Sequence, residues 1–265
     1  MCRLLAYLGP AIQLDQVLCK PEHSLIVQSY RPKEMREALL NADGFGLGWY
    51  HQTQTTEPFT YKSTQPIWSD INLRSLSRYI ESPCILSYVR SATPGQAVDL
   101  INCQPFPHQQ LLFIHNGYID HFRKTLYRPL RSHLSDHIYQ NIHGTTDSEH
   151  IFALVLNELT ASPEVPSLHD ALEKALKTLI SLARTKDVKF LANTIISDGK
   201  QLVASRLAQK SPAPSLYWLR DDPSFPDAVI LASEPLFSAD WHLCPENHLI
   251  HVGTNLEINC YPLIP

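Results

Sequence analysis

No stretch of this 265-residue sequence approaches the roughly 18 consecutive apolar residues that a membrane span needs. The apolar run after Arg3 is short and soon meets Asp15, which excludes a secretory leader. Blocks of like charge are missing too: the formal net charge is -4, and acids and bases are interspersed. Without the basic stripe of a phosphate-backbone binder, nucleic acid is not an expected partner. The six cysteines form no C-x-x-C pair and no regular framework, the pattern of reduced thiols in a cytosolic protein rather than of disulfide staples. Internal repeats, low-complexity tracts and an obvious linker are also absent. With 44% hydrophobic and 18% charged residues, the chain is expected to fold as a globular cytoplasmic protein with a sizeable core.

Two further absences concern ligands. Gly44, Gly46 and Gly48 have the wrong spacing for a dinucleotide fingerprint and lack the Lys of a P-loop, which excludes nucleotide binding. His133 and His137 fall at i, i+4 and His248 and His251 at i, i+3, but no Glu base or third ligand accompanies either pair at a zinc-protease spacing. Chance produces such pairs in a chain with 13 histidines, and neither a metal nor another cofactor is expected.

What is present begins at the N-terminus. Met1-Cys2-Arg3 sets a cysteine directly after the initiator, where removal of Met1 leaves one residue carrying both a thiol and a free α-amine. The thiolate is the nucleophile, and an ordinary thiol (about 8.5) lies close in pKa to an α-amine (about 7.7 to 8.0), so proton transfer between them is nearly thermoneutral. The competing explanation is a small buried hydrophobe, the commoner fate of cysteine.

Residues 3 to 8 read as a short buried strand ending at the Gly9-Pro10 turn signal, which sets Cys2 at the edge of a sheet. His23 to Gln28 and Lys33 to Leu40 read as short helical pieces, and residues 71 to 81 as a helix. Between them, Gly44, Gly46 and Gly48 would share one face of a strand and Phe45, Leu47 and Trp49 the other, which implies that a backbone or ligand approaches the glycine face. Cys84 to Val89 is a strand running into Arg90-Ser91-Ala92-Thr93-Pro94-Gly95, and Leu111 to Ile114 a strand ending at the turn-like His115-Asn116-Gly117. Thr146 with Glu149, and Ser167 with Asp170, have capping-box spacing ahead of apolar residues at helical period. Strands return at Phe190 to Ser197, Gln201 to Arg206, Leu216 to Leu219, Ala228 to Ser233 and His248 to Val252, with a hairpin turn at Asp198-Gly199 and loops at Lys210 to Pro214 and Asp221 to Pro226. Strands, then helices, then strands argue for a layered α+β fold.

Met-Cys-Arg, Asn-Ala-Asp-Gly-Phe-Gly at 41 to 46, Arg-Ser-Ala-Thr at 90 to 93, His-Asn-Gly at 115 to 117 and Thr-Asp-Ser-Glu at 146 to 149 are each weak motifs. Together and in this order they resemble the class II glutamine amidotransferases of the N-terminal-nucleophile (Ntn) hydrolase superfamily, with Ala232-Ser233-Glu234-Pro235-Leu236 similar to a late strand of that family. The resemblance implies a four-layer αββα sandwich, a single glutamine amidotransferase domain over 1–265 with Cys2 as the mature N-terminus, and a γ-glutamyl thioester on Cys2. It further implies an oxyanion hole from Asn116 and the Gly117 N–H, with Arg90 on the substrate α-carboxylate and Asp147 on its α-ammonium. Ser91, Thr93 and His115 would join the binding of the γ-glutamyl group, and Asn41, Asp43 and Gly44 would shape the pocket wall. Taken singly, Asn116-Gly117 also suits a hairpin turn, Arg90 an ion pair and Asp147 a helix N-terminus.

Synthase-linked members carry an aromatic residue after the arginine and a His after the Thr, where this chain has Ser91 and Pro94. No second domain for an ammonia acceptor is expected after Pro265. The chain is therefore most similar to standalone hydrolases of γ-glutamyl conjugates, such as the γ-glutamyl hydrolase type of ergothioneine biosynthesis. The rivals are a glutaminase subunit feeding ammonia to a separate synthase and a non-catalytic regulatory module. The expected partner is a small γ-glutamyl molecule, and a homo-oligomer is compatible with the sequence.

Overall fold

A computed structural model describes residues 2–35, 40–53, 57–93, 95–161 and 166–263. In chain order the elements are β1 (Arg3–Gln13), α1 (Asp15–Leu18), α2 (Leu25–Tyr30), β2 (Phe45–Trp49), β3 (Phe59–Ser63), α3 (Leu73–Tyr79), β4 (Glu81–Val89), β5 (Phe106–His108) and β6 (Leu111–Ile119). A helical block follows: α4 (Phe122–Thr125), α5 (Tyr127–Arg131), α6 (Asp136–Gln140), α7 (Asp147–Thr160) and α8 (Leu168–Thr185). The chain then returns to strands β7 (Phe190–Ser197), β8 (Leu202–Gln209), β9 (Tyr217–Asp222), β10 (Phe225–Ala232), β11 (His242–Leu243), β12 (His248–Val252) and β13 (Ile258–Pro262).

The strands form a seven-stranded sheet, order β11-β9-β10-β1-β4-β2-β3, and a six-stranded sheet, order β13-β12-β8-β7-β6-β5. Alternation of side chains across each strand sorts the core into three layers. Leu4, Ala6 and Leu8 of β1 meet Leu112 and Ile114 of β6 between the sheets. Leu5 and Tyr7 face the other way, onto Leu14, Leu18, Leu25 and Leu73 of the first helical layer. Phe113, Phe190 and Val203 lie under α7 and α8 on the far side of the second sheet. The result is the αββα sandwich. No described helix is long and apolar enough to cross a membrane, and all six cysteines are free thiols.

Local chemistry explains most of the boundaries. Thr146 Oγ1 accepts the Glu149 N–H at 3.2 Å and Ser167 Oγ the Asp170 N–H at 3.1 Å, starting α7 and α8 where the capping residues stand. Gly199 adopts φ +88° in the turn after β7, and Asp198 Oδ1 accepts the Lys200 and Gln201 N–H groups.

Several expectations need correction. β1 does not stop at Gly9-Pro10; it passes through a register shift between Leu8 and Ile12, which accommodates a proline that has no N–H for the ladder. Nor is Cys2 at a sheet edge, because β1 is bonded to β10 on one side and β4 on the other. His115-Asn116-Gly117 is no turn: the three residues pair with Thr194, Asn193 and Ala192 inside β6–β7, and Gly117 is not among the glycines at positive φ that an Asn-Gly hairpin requires. β9 and β10 extend into the expected loop at 221 to 226, leaving only a tight connection. The central part of the Lys33 to Leu40 helical expectation, residues 36–39, lies outside the described residues, as does Pro94.

The glycine face of β2 meets the approach expected of it. A Cβ on Gly46 would stand 1.9 Å from the Gln104 carbonyl oxygen, and one on Gly48 would stand 2.6 Å from Leu112 Cδ1. Because the first obstacle is backbone, Gly46→Ala is expected to lower unfolding free energy by about 1–3 kcal/mol, the cost of overpacking, read as a reduced urea midpoint at unchanged m-value.

Candidate active site

Cys2 leads into a central strand, and its neighbours follow from the register of β1. Arg3 pairs with Val89, so the chain leaving β4 passes beside the Cys2 side chain. The sulfur lies 3.0 Å from the Tyr88 hydroxyl, accepts the Ser91 N–H at 3.4 Å and reaches the Ser91 carbonyl at 3.6 Å. Burial foremost, with the adjacent Cys2, holds the Tyr88 hydroxyl well above its ordinary pKa. It therefore remains a neutral donor, and together with the Ser91 N–H it can serve a thiolate at Cys2.

The turn before β2 fixes the loop after β4. Asp43 N–H donates to the Arg90 carbonyl, Arg90 N–H to the Gly44 carbonyl, and the Asp43 carboxylate accepts the Ala92 N–H at 2.8 Å. Gly44 has φ +117°, and a Cβ there would meet the Ser63 carbonyl at 2.7 Å. Asn41 is buried, with Oδ1 unpartnered among the described residues. Arg90 is 2% exposed, yet among the described residues its guanidinium donates only to the Asp43 and Ala97 carbonyls, at 3.5 and 3.1 Å. It is a buried cation without a carboxylate partner among the described residues, which suits it to an incoming anion. Thr93 is exposed farther along the same loop.

β6 supplies the opposing wall. Asn116 shares its face with Leu112 and Ile114, the residues that meet β1 between the sheets, and so lies on the same interlayer as Cys2. It is fully buried, and neither Oδ1 nor Nδ2 has a partner among the described residues. A buried amide left unpaired is costly, and a site awaiting a ligand is one setting where such a cost is found. Gly117 admits no larger residue, since a Cβ would fall 1.9 Å from the Leu191 carbonyl oxygen.

His115 takes the opposite face of β6. Its Nδ1 lies 2.8 Å from Ser148 Oγ and its Nε2 3.1 Å from the Leu191 carbonyl, and burial lowers its pKa. A neutral ring donating from Nε2 and accepting at Nδ1 fits both partners, so His115 ties β6 to α7 instead of entering the interlayer. Asp147, at the start of α7, accepts the Ile119 N–H at 2.7 Å and the Ser148 N–H at 2.9 Å. The structure thus brings Cys2, Ser91, Arg90 and Asp43 together by direct contacts, sets Asn116 on the facing strand, and holds Asp147 against the end of β6.

Two groups were not singled out from the sequence. Tyr88 is one, hidden inside an apolar strand. The other is Glu234, whose carboxylate lies 2.8 Å from Arg3 Nε and 2.7 Å from His23 Nε2 and also accepts the Lys33 and Glu34 N–H groups. Arg3 in turn donates to the Cys2 carbonyl at 2.9 Å. Ser233, the preceding residue, accepts the Leu4 N–H at 2.9 Å. Burial pushes the Glu234 carboxyl up, but His23, Arg3 and the two backbone donors prevail and hold it below the ordinary range. A carboxyl depressed on folding contributes stability that is complete above its unfolded pKa, about 4.3, and is lost as pH falls through the lower folded value. Glu234→Gln is expected to cost about 3–5 kcal/mol near neutrality by stranding buried Arg3. It should also flatten the acid limb of the stability profile, measured by urea titrations below pH 5 and at pH 7.

Residues 14–234 match the family described as Glutamine amidotransferases class-II. A protein of Saccharomyces cerevisiae named a probable glutamine amidotransferase is 32% identical over 305 residues, covering 100% of this chain and 85% of that protein. The gamma-glutamyl-hercynylcysteine sulfoxide hydrolase of Mycolicibacterium smegmatis is 30% identical over 254 residues, covering 95% of this chain and 96% of that protein. Among solved structures, a glutamine aminotransferase class-II domain protein from Silicibacter pomeroyi has a TM-score of 0.71 at 25% identity, over 100% of both chains. Glutamine phosphoribosylpyrophosphate amidotransferase from B. subtilis shares the fold, with a TM-score of 0.66 at 15% identity over 99% of this chain and 49% of that one. Sequence match, near full-length relatives and common fold lead to one conclusion: this chain belongs to the class II glutamine amidotransferases and is a hydrolase of their type.

Proposed function

We propose that Cys2, exposed as the N-terminal residue by removal of Met1, hydrolyses the amide bond of a γ-glutamyl conjugate through a thioester. The sulfur bonds to the amide carbonyl carbon while the thiol proton passes through the Cys2 α-amine to the departing nitrogen, and the C–N bond breaks. Water then adds to the thioester, the C–S bond breaks, and glutamate leaves with the thiol restored. Met1 itself lies outside the described residues.

The observation that carries this reading is Asn116, a buried amide with both polar atoms unpartnered among the described residues, on the interlayer that also holds Cys2. An amide waiting for an oxyanion explains why that cost is borne, and the Gly117 N–H is its companion donor. Arg90, partnered by carbonyls alone among the described residues, takes the α-carboxylate of the γ-glutamyl group. Asp147 takes the α-ammonium, its carboxylate aimed by Ile119 and Ser148. Ser91 and Thr93 border this head, His115 positions β6 from behind, and Asn41, Asp43 and Gly44 form the wall. The whole of 1–265 works as one amidotransferase domain.

The substrate we favour is a γ-glutamyl thiol conjugate as in ergothioneine biosynthesis; the name of the M. smegmatis relative, gamma-glutamyl-hercynylcysteine sulfoxide hydrolase, supports a γ-glutamyl derivative of a cysteine. The name of the yeast relative favours a second reading, glutamine with ammonia as the leaving group.

Purified protein should release glutamate from a γ-glutamyl-cysteine conjugate at a kcat/KM well above that for glutamine; the reverse order would make the second reading the correct one. Cys2→Ala should abolish release. Asn116→Ala should lower kcat roughly 10²–10³-fold, or about 2.7–4 kcal/mol of transition-state stabilisation, without loss of thermal stability, since it removes an unpaired buried amide. Retention of turnover in Cys2→Ala, or N-terminal sequencing that finds Met1 on active enzyme, would sink the assignment.

A further inference from the structure

One polar row is left unused by the reaction as written. Asn116 pairs across the second sheet with Asn193, and Asn193 with Arg206, so the three side chains stand side by side on β6, β7 and β8. Their face is the inter-sheet one, because Ile114, Ile195 and Ala204, each two residues away, belong to the core between the sheets. Asn193 is fully buried; its Nδ2 donates to the Pro214 and Ser215 carbonyls at 3.0 and 3.2 Å, while its Oδ1 has no partner among the described residues.

The row ends in a cleft of about 410 Å³, bordered by Arg206, Leu191, Ser215, Tyr217, Lys33 and Glu34. That volume lies within the ~300–1,000 Å³ of small-ligand pockets. Arg206 is half-buried there and donates to the Pro214, Cys244 and Ala213 carbonyls at 2.9, 2.8 and 3.4 Å. Like Arg90, it has no carboxylate partner among the described residues, and its fork retains donors beyond those three bonds. The acids nearby are already engaged: Glu34 accepts the Tyr217 hydroxyl at 2.9 Å and Glu246 the Ala213 N–H at 2.8 Å.

Topology sets this cleft against the γ-glutamyl end of the site. β1 and β4 pack over β6. From Cys2 and Asn116, the sheets continue on one side through β4 to Arg90, and on the other through β10 to β9 and through β7 to β8, where Tyr217 and Arg206 border the cleft. A substrate whose glutamyl head points to Arg90 sends its leaving group the other way.

We propose that this cleft is the leaving-group subsite, and that it selects amines bearing a carboxylate, that is, amino acids or short peptides, with Arg206 as the anion partner and Asn193 Oδ1 as an acceptor along the way. The proposal rests on the γ-glutamyl hydrolase reading above and narrows its substrate class.

The test compares γ-glutamyl-alanine with γ-glutamyl-alaninamide, which differ only in the carboxylate, and with γ-glutamyl-methylamide. Wild-type kcat/KM should favour the acid over the alaninamide at least tenfold, and Arg206→Gln should bring that ratio to within about twofold of one. A wild-type ratio near one overturns the subsite while leaving the hydrolase reading intact, and turnover of none of the three overturns both. Persistence of the preference in Arg206→Gln overturns the role of Arg206. The wild-type comparison needs no variant, so it decides the matter even if Arg206→Gln, stripped of three carbonyl contacts, does not fold.

Discussion

The buried carboxylate of Glu234 is the constraint from which the site is built. It meets Arg3 on one strand, His23 ahead of α2, and the backbone of Lys33 and Glu34. Arg3 carries the connection to the carbonyl of Cys2. The Cys2 side chain itself lies outside this network; the residue after it is held in a buried charge network that tolerates few geometries. The ladders of β1 with β4 and β10 then fix direction, and the position of the sulfur beside Tyr88 and Ser91 follows.

The site divides the work between rigid and polar parts in a consistent way. The cations that face the interlayer region, Arg90 and Arg206, are both satisfied by carbonyl groups and by no acid among the described residues. Carbonyls orient a guanidinium without neutralising it, so its charge remains available to a ligand. Asp147 is the mirror case, a carboxylate oriented by N–H groups and without a cation partner among the described residues. By contrast Glu234, which does meet Arg3, holds the scaffold. On the proposed function, pairing among these groups marks the structural ones and its absence the ones turned toward a ligand.

Much of this was legible in the sequence where one local signal governed the outcome. Ser167 with Asp170 and the leucines behind them specify α8, and the β-rich stretch from Phe190 to Ser197 specifies β7, a strand buried on both sides. The order of the five motifs singled out Cys2, Arg90, Asn116 and Asp147 as candidates. Reading failed where tertiary pairing overrode a local preference. Asn116-Gly117 is drawn into a ladder with β7 in spite of its turn chemistry, and Gly9-Pro10 is absorbed into β1 as an irregularity. Tyr88, Glu234 and the Asn116–Asn193–Arg206 row were illegible for a related reason: each depends on cross-strand register, which no short window of sequence encodes.

The glycine face of β2 has a consequence for the whole sandwich. At that margin the sheets are drawn together until the Gln104 carbonyl occupies the place of a side chain, while the margin between β9 and β8 stands open around a cleft of about 410 Å³. The two sheets therefore behave like the covers of a book, bound along the spine at β2 and parted at the fore-edge beside Arg206. On the proposed reading, remodelling the fore-edge for a different leaving group would leave the spine untouched, and Cys2 and Asn116, lying between the two margins, would keep their facing positions.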